Sequence, residues 1–201
     1  MAMTVLTAAN QLTLLRLLLV PVFVLCMLYS WPGWALVTFI VAGLTDALDG
    51  LIARRTGQLT TLGAWLDPMA DKLLLVSTFV MLTLPGLNSV NRFPVWLTVL
   101  VISRDVAIVM TVAVVNLAVA RRTFRPSLLG KAATVIYVFT AGVTLLANYL
   151  RQPSSIVTAL IYLSLLVTLA SGFDYVIRLM RFGAVDAPAD RAHGPDKRAI
   201  G

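Results

Sequence analysis

Residues 46–71 read DALDGLIARRTGQLTTLGAWLDPMAD, with four of the chain's nine acids in 26 residues. Asp46 and Asp49 stand three apart and Asp67 and Asp71 four apart, so each pair occupies one face of a helix. The polar connection between them, TGQLTTLGAW at 56–65, turns the chain back, and the two helices run antiparallel with all four carboxylates at one end. Carboxylates crowded at the end of an apolar helix repel one another or take up protons unless something compensates their charge. Arg54, Arg55 and Lys72 supply candidate partner cations. A cluster of four oxygen-ligand side chains also suits Mg²⁺ or a similar hard cation, and two such ions sharing four carboxylates is an arrangement suited to phosphoryl chemistry.

Outward from this hairpin the chain is almost all apolar. It has 201 residues, 59% of them hydrophobic and only 12% charged, with a mean hydropathy of +0.90. An ordinary globular chain is about 45–50% apolar and about 25% charged. The composition excludes a disordered chain, and the single cysteine, Cys26, excludes a disulfide-rich secreted domain. A membrane-crossing helix takes about 20 residues. Apolar runs at 12–29, 35–53, 67–85, 95–120, 128–149 and 156–180 therefore predict an all-α polytopic bundle with six transmembrane helices. Residues 1–182 form the membrane domain on this reading, and 183–201, which is small, charged and punctuated by Pro and Gly, forms a mobile polar tail. Arg16 lies near the start of the first run, where a long side chain reaches the interface.

All nine acids are Asp, against 16 Lys and Arg, for a net charge of +7. The basic residues concentrate at 54–72, at 121–131 and at the C-terminal end, while the other side offers Arg92 and Arg151. This asymmetry places both termini in the cytoplasm and the Asp hairpin at the cytoplasmic face of the cell's inner membrane. A basic membrane body points to anionic lipid or a phosphate substrate as partner, not to nucleic acid.

The arrangement Asp46-x-x-Asp49-Gly50-x-x-Ala53-Arg54, eight residues, Gly63-x-x-x-Asp67-x-x-x-Asp71 resembles the signature of the CDP-alcohol phosphatidyltransferase family, with every fixed position filled. The resemblance implies an enzyme that displaces CMP from CDP-diacylglycerol with an alcohol acceptor, using two divalent ions, Mg²⁺ or Mn²⁺. It implies that Asp46, Asp49 and Asp67 are metal ligands. Asp71 would touch metal and also serve as the catalytic general base on the acceptor hydroxyl. Gly50, Ala53 and Arg54 would receive the cytidine diphosphate, with Gly63 alongside them. It further implies a homodimer in the lipid bilayer.

QLTLLRLLLVPVF at 11–23, ISRD at 102–105 and LLGKAAT at 128–134 resemble the subgroup that makes phosphatidylglycerophosphate, together with its cardiolipin synthase relatives. Arg104 and Lys131 are candidates for an acceptor phosphate on this resemblance, although Arg104 and Asp105 also read as a buried polar pair. The subgroup's usual Glu and Arg are replaced here by Asp105 and Val112. The expected acceptor is glycerol 3-phosphate, with phosphatidylglycerol as the alternative. A cation transporter is a reading of another class; it predicts acids spread through the bilayer midplane, whereas these cluster in one hairpin.

Overall fold

The computed structural model describes the backbone of residues 8–56, 61–118 and 128–185, and within these the side chains of 11, 13–46, 48, 72–110 and 128–177. The described residues form an all-α bundle of six helices: α1 (Ala8–Leu28), α2 (Pro32–Thr56), α3 (Thr61–Thr83), α4 (Val95–Ala118), α5 (Leu128–Tyr149) and α6 (Ser155–Val185). Each corresponds to one of the six apolar runs. Pro32 opens α2, where its fixed φ suits a first helical residue and its missing N–H is not needed. α1 and α5 are each followed, two residues on, by a residue in the left-handed region, Ser30 (φ 56°) and Arg151 (φ 53°). The amides that follow, of Trp31 and Gln152, turn back to donate to the carbonyls of Cys26 at 2.8 Å and Ala147 at 3.0 Å, which satisfies carbonyls the last helical turn leaves open.

The expectation of six transmembrane helices is corrected. Among the described residues, two helices are long and apolar enough to cross a membrane: α5 over Leu128–Tyr149 and the Ser155–Ile177 part of α6. Among the described residues, the apolar stretches of α1, α2 and α3 are Thr13–Leu28, Pro32–Asp46 and Lys72–Thr83. α2 runs ten residues beyond Asp46, and α3 begins at Thr61, ahead of Asp67, Asp71 and Lys72. α4 carries Arg104 and Asp105 near its middle. Of the expected tail, residues 183–185 complete α6, and 186–201 lie outside the described residues.

α1 packs on α2 and α3, α5 on α2, α3 and α6, and α4 on α3 and α6, so α3 sits among the others as the common neighbour of α1, α2, α4 and α5. The apolar core joins Phe23, Phe39, Phe79, Phe93, Leu97 and Tyr137. Mixed into it are hydroxyls that bond within and between helices. Tyr137 and Thr168 are 2.6 Å apart and Thr140 and Ser164 3.0 Å apart across α5 and α6, and Thr83 and Thr98 are 2.6 Å apart across α3 and α4. Many large apolar side chains face outward instead, among them Leu18, Val95, Val135, Leu166 and Phe173. Exposed apolar side chains in this number suit a surface that meets lipid or protein.

The end of the bundle away from the Asp motif is closed by an asparagine pair. Asn91, in the α3–α4 loop, donates its backbone N–H to Asn148 Oδ1 at 2.7 Å, and Asn148 Nδ2 donates to the Asn91 carbonyl at 3.0 Å. Asn91 also donates to the Gln152 carbonyl at 2.8 Å and accepts from the Ser154 amide at 3.0 Å. One side chain thereby ties the α3–α4 loop to the α5–α6 loop.

Candidate active site

The C-terminal half of α2 carries Asp46, Asp49, Gly50, Ala53 and Arg54, and the N-terminal half of α3 carries Gly63, Asp67 and Asp71. α3 includes Thr61, so Gly63, expected in the polar connection at 56–65, lies within the first turn of α3. α2 and α3 are in contact. Of these eight positions, Asp46 is the one whose side chain is described; those of Asp49, Gly50, Ala53, Arg54, Gly63, Asp67 and Asp71 lie outside the described residues.

Asp46 is anchored from a third helix. Arg16 Nη1 of α1 lies 2.8 Å from Asp46 Oδ1, the Arg16 side chain being 1% exposed and that of Asp46 49% exposed. Arg16 therefore does not reach out to an interface, as its position in the sequence suggested; it turns inward to the motif. A charge this deep needs a compensating charge, and the first motif carboxylate provides it. The signal available in the sequence was a lone Arg in an apolar run, which demands a partner but does not name one.

A second polar group joins α3, α4 and α6. Lys72, which directly follows Asp71, places Nζ 3.6 Å from Asp105 Oδ2, and Arg104 Nη1 donates to Asp105 Oδ1 at 2.8 Å. Arg104 Nη2 donates to the Ser171 hydroxyl of α6. Arg104 Nε is buried without a hydrogen-bond partner among the described residues. Arg104 and Asp105 thus form a largely buried pair, and the group as a whole carries one net positive charge. Lys131 is not part of it. That residue is exposed near the start of α5, and α4 and α5 do not pack directly on one another among the described residues.

The donor set fits divalent ions by its chemistry. Asp46 is a half-exposed carboxylate with one oxygen committed to Arg16, which leaves Oδ2 as a hard oxygen donor. Asp49, Asp67 and Asp71 are of the same donor type at helical spacing on the two neighbouring helices.

The family model of the CDP-alcohol phosphatidyltransferases matches residues 6–170, and the chain belongs to that family. It is an enzyme of phosphatidyl transfer whose substrates are CDP-diacylglycerol and an alcohol acceptor, which sets the transporter reading aside. Among its relatives, the "Probable phosphatidylglycerophosphate synthase" of Mycobacterium tuberculosis is 37% identical over 183 residues, covering 86% of this chain and 81% of the relative. The cardiolipin synthase (CMP-forming) of Streptomyces coelicolor is 35% identical over 153 residues, covering 72% and 67%. The CDP-diacylglycerol–glycerol-3-phosphate 3-phosphatidyltransferase of Bacillus subtilis is 28% identical over 183 residues, covering 83% and 91%.

Proposed function

We propose that this enzyme transfers the phosphatidyl group of CDP-diacylglycerol to glycerol 3-phosphate, giving phosphatidylglycerophosphate and CMP. The observation that carries the choice of acceptor is the Lys72–Asp105–Arg104 group. It begins one residue after the last motif carboxylate, bears a net positive charge, and has in Arg104 Nε a buried donor with no partner among the described residues. A phosphate on a small acceptor meets both needs, since guanidinium groups recognise phosphate through charge-assisted hydrogen bonds. The similarity to the M. tuberculosis and B. subtilis proteins favours the same acceptor.

In this reading Asp46, Asp49, Asp67 and Asp71 hold two ions, Mg²⁺ or Mn²⁺. When bound, the ions supply neutralisation of the pyrophosphate and of the charge that develops on the departing CMP oxygen. Gly50 and Ala53, with little or no side chain, let the cytidine diphosphate approach the α2 backbone, Arg54 meets its charge, and Gly63 does the same at the start of α3. Arg104 holds the acceptor phosphate, with Lys131 a further candidate. Asp71 accepts the proton of the attacking hydroxyl as its oxygen bonds to the phosphorus of the phosphatidyl group. The phosphorus–oxygen bond to CMP breaks in the same displacement.

The outward apolar surface supports a home in the lipid bilayer, and the basic residues flanking the motif support a site at the cytoplasmic face of the inner membrane. A homodimer is part of the same proposal. The S. coelicolor relative favours a second acceptor, phosphatidylglycerol. The deciding experiment supplies CDP-diacylglycerol with glycerol 3-phosphate or phosphatidylglycerol separately and identifies the lipid formed. Phosphatidylglycerophosphate is expected; turnover with phosphatidylglycerol alone would overturn the first choice.

A further inference from the structure

We infer that Arg16 is a positioning residue for the metal site, holding the first motif carboxylate in place from a helix that carries none of the motif. Arg16 is the one charged residue of α1. α1 packs against both motif helices, α2 and α3, and its seat there is fixed by the buried side chains of Thr13 and Phe23 on either side of Arg16.

The burial within the ion pair is one-sided. Asp46 is half exposed and has no need of a counter-charge to hide it, whereas Arg16, at 1% exposure, has given up its water. Desolvating a guanidinium costs several kcal/mol, and an apolar side chain of similar volume at this seam would avoid that cost. What the arginine supplies, and an apolar residue cannot, is a positive charge held against one oxygen of the carboxylate. With Nη1 2.8 Å from Oδ1, the ion pair draws one oxygen of Asp46 toward α1 and leaves Oδ2 as the oxygen open to a cation. Metal ligands have to be held close to their productive geometry, and groups that orient them are commonly worth about 10–100-fold in metal affinity or activity.

This inference rests on the proposed role of Asp46 as a metal ligand, so the test reads metal binding directly. Mn²⁺ is titrated into the purified full-length protein without substrate, and free Mn²⁺ is followed by electron paramagnetic resonance. Arg16→Met is expected to weaken Mn²⁺ binding about 10–100-fold. Arg16→Lys, which keeps the charge but loses the planar fork, is expected to fall between it and the parent. In an Asp46→Asn background, Arg16→Met is expected to add little further loss. Parent-like Mn²⁺ affinity in folded Arg16→Met overturns the inference. If Arg16→Met does not fold, parent-like affinity in Arg16→Lys does the same. Asp49→Asn separates the two ideas. If it abolishes tight Mn²⁺ binding while the Arg16 variants bind normally, the metal site stands and the positioning role is lost. If the parent binds no Mn²⁺, or Asp49→Asn changes nothing, the metal-site reading itself fails and takes the role of Arg16 with it.

Discussion

Lys72 Nζ on α3 lies 3.6 Å from Asp105 Oδ2 on α4, and the other oxygen of the same carboxylate accepts from Arg104 at 2.8 Å. One acid therefore serves two cations on two helices, and the chain segment leaving the motif is tethered to α4 immediately after Asp71. The two contacts differ in worth. Arg104 and Asp105 are 11% and 17% exposed, so their pairing is largely shielded from water, whereas Lys72 is 43% exposed and its contact is screened.

Asp105→Asn is expected to destabilise the protein by about 3 kcal/mol, because it leaves the buried Arg104 guanidinium with Ser171 but no counter-charge. Lys72→Met should cost less than about 1 kcal/mol. Thermal unfolding of the two variants in the same detergent checks the order, and equal losses would show that Arg104 does not depend on Asp105.

Arg104→Met is expected to raise the KM for glycerol 3-phosphate by roughly 10–100-fold, the loss of a hydrogen bond to a charged group being about 1.5–3 kcal/mol. The KM for CDP-diacylglycerol should stay near that of the parent. Steady-state kinetics with each substrate varied in turn makes the comparison. An unchanged acceptor KM would remove Arg104 from the acceptor site and leave it a structural partner of Asp105.

Asp71→Asn is expected to lower CMP release by about 10²–10⁴-fold, the usual contribution of a general base, without loss of the helical bundle. Chelation of divalent ions should stop the parent enzyme, with recovery on adding Mg²⁺ or Mn²⁺. Radiolabelled CMP release and far-UV circular dichroism measure activity and fold separately. Full activity of Asp71→Asn would refute its role as the base.

Asn148→Ala is expected to lower stability by about 2 kcal/mol, since it leaves the Asn91 amide in a buried setting without its acceptor. Both residues lie at the end of the bundle away from the motif, so kcat and KM should be unaffected once the protein is folded. Unfolding temperature and kinetics on the same preparation test the two halves of this statement, and a change in acceptor KM would mean that the two ends of the bundle are coupled.

Much of the fold was legible because long apolar runs in this chain are separated by short polar or Pro- and Gly-containing segments. α5 was delimited at Leu128 and Tyr149, the same bounds that the structure gives. α3 was not, because TTLGAWL reads as a polar connection although nothing in it stops a helix, and the helix begins at Thr61. Of the six expected crossings, α5 and the Ser155–Ile177 part of α6 are long and apolar enough among the described residues, whereas charged residues stand inside other runs, Asp46 in α2, Lys72 in α3 and Arg104 with Asp105 in α4.

The chemistry on offer is written in the chain itself: four carboxylates at helical spacing on two consecutive helices, small residues beside them, and a family signature complete at every fixed position. Tertiary structure decided which cations stand against which acids. Arg16 meets Asp46 across 30 residues of sequence, and Arg104 reaches Ser171 across 67. Local periodicity specifies the face of a helix, but not the neighbour that face will meet. That pairing depends on how α1 seats against α2 and α3 and how α4 seats against α3 and α6, and so it exists only once the helices have packed.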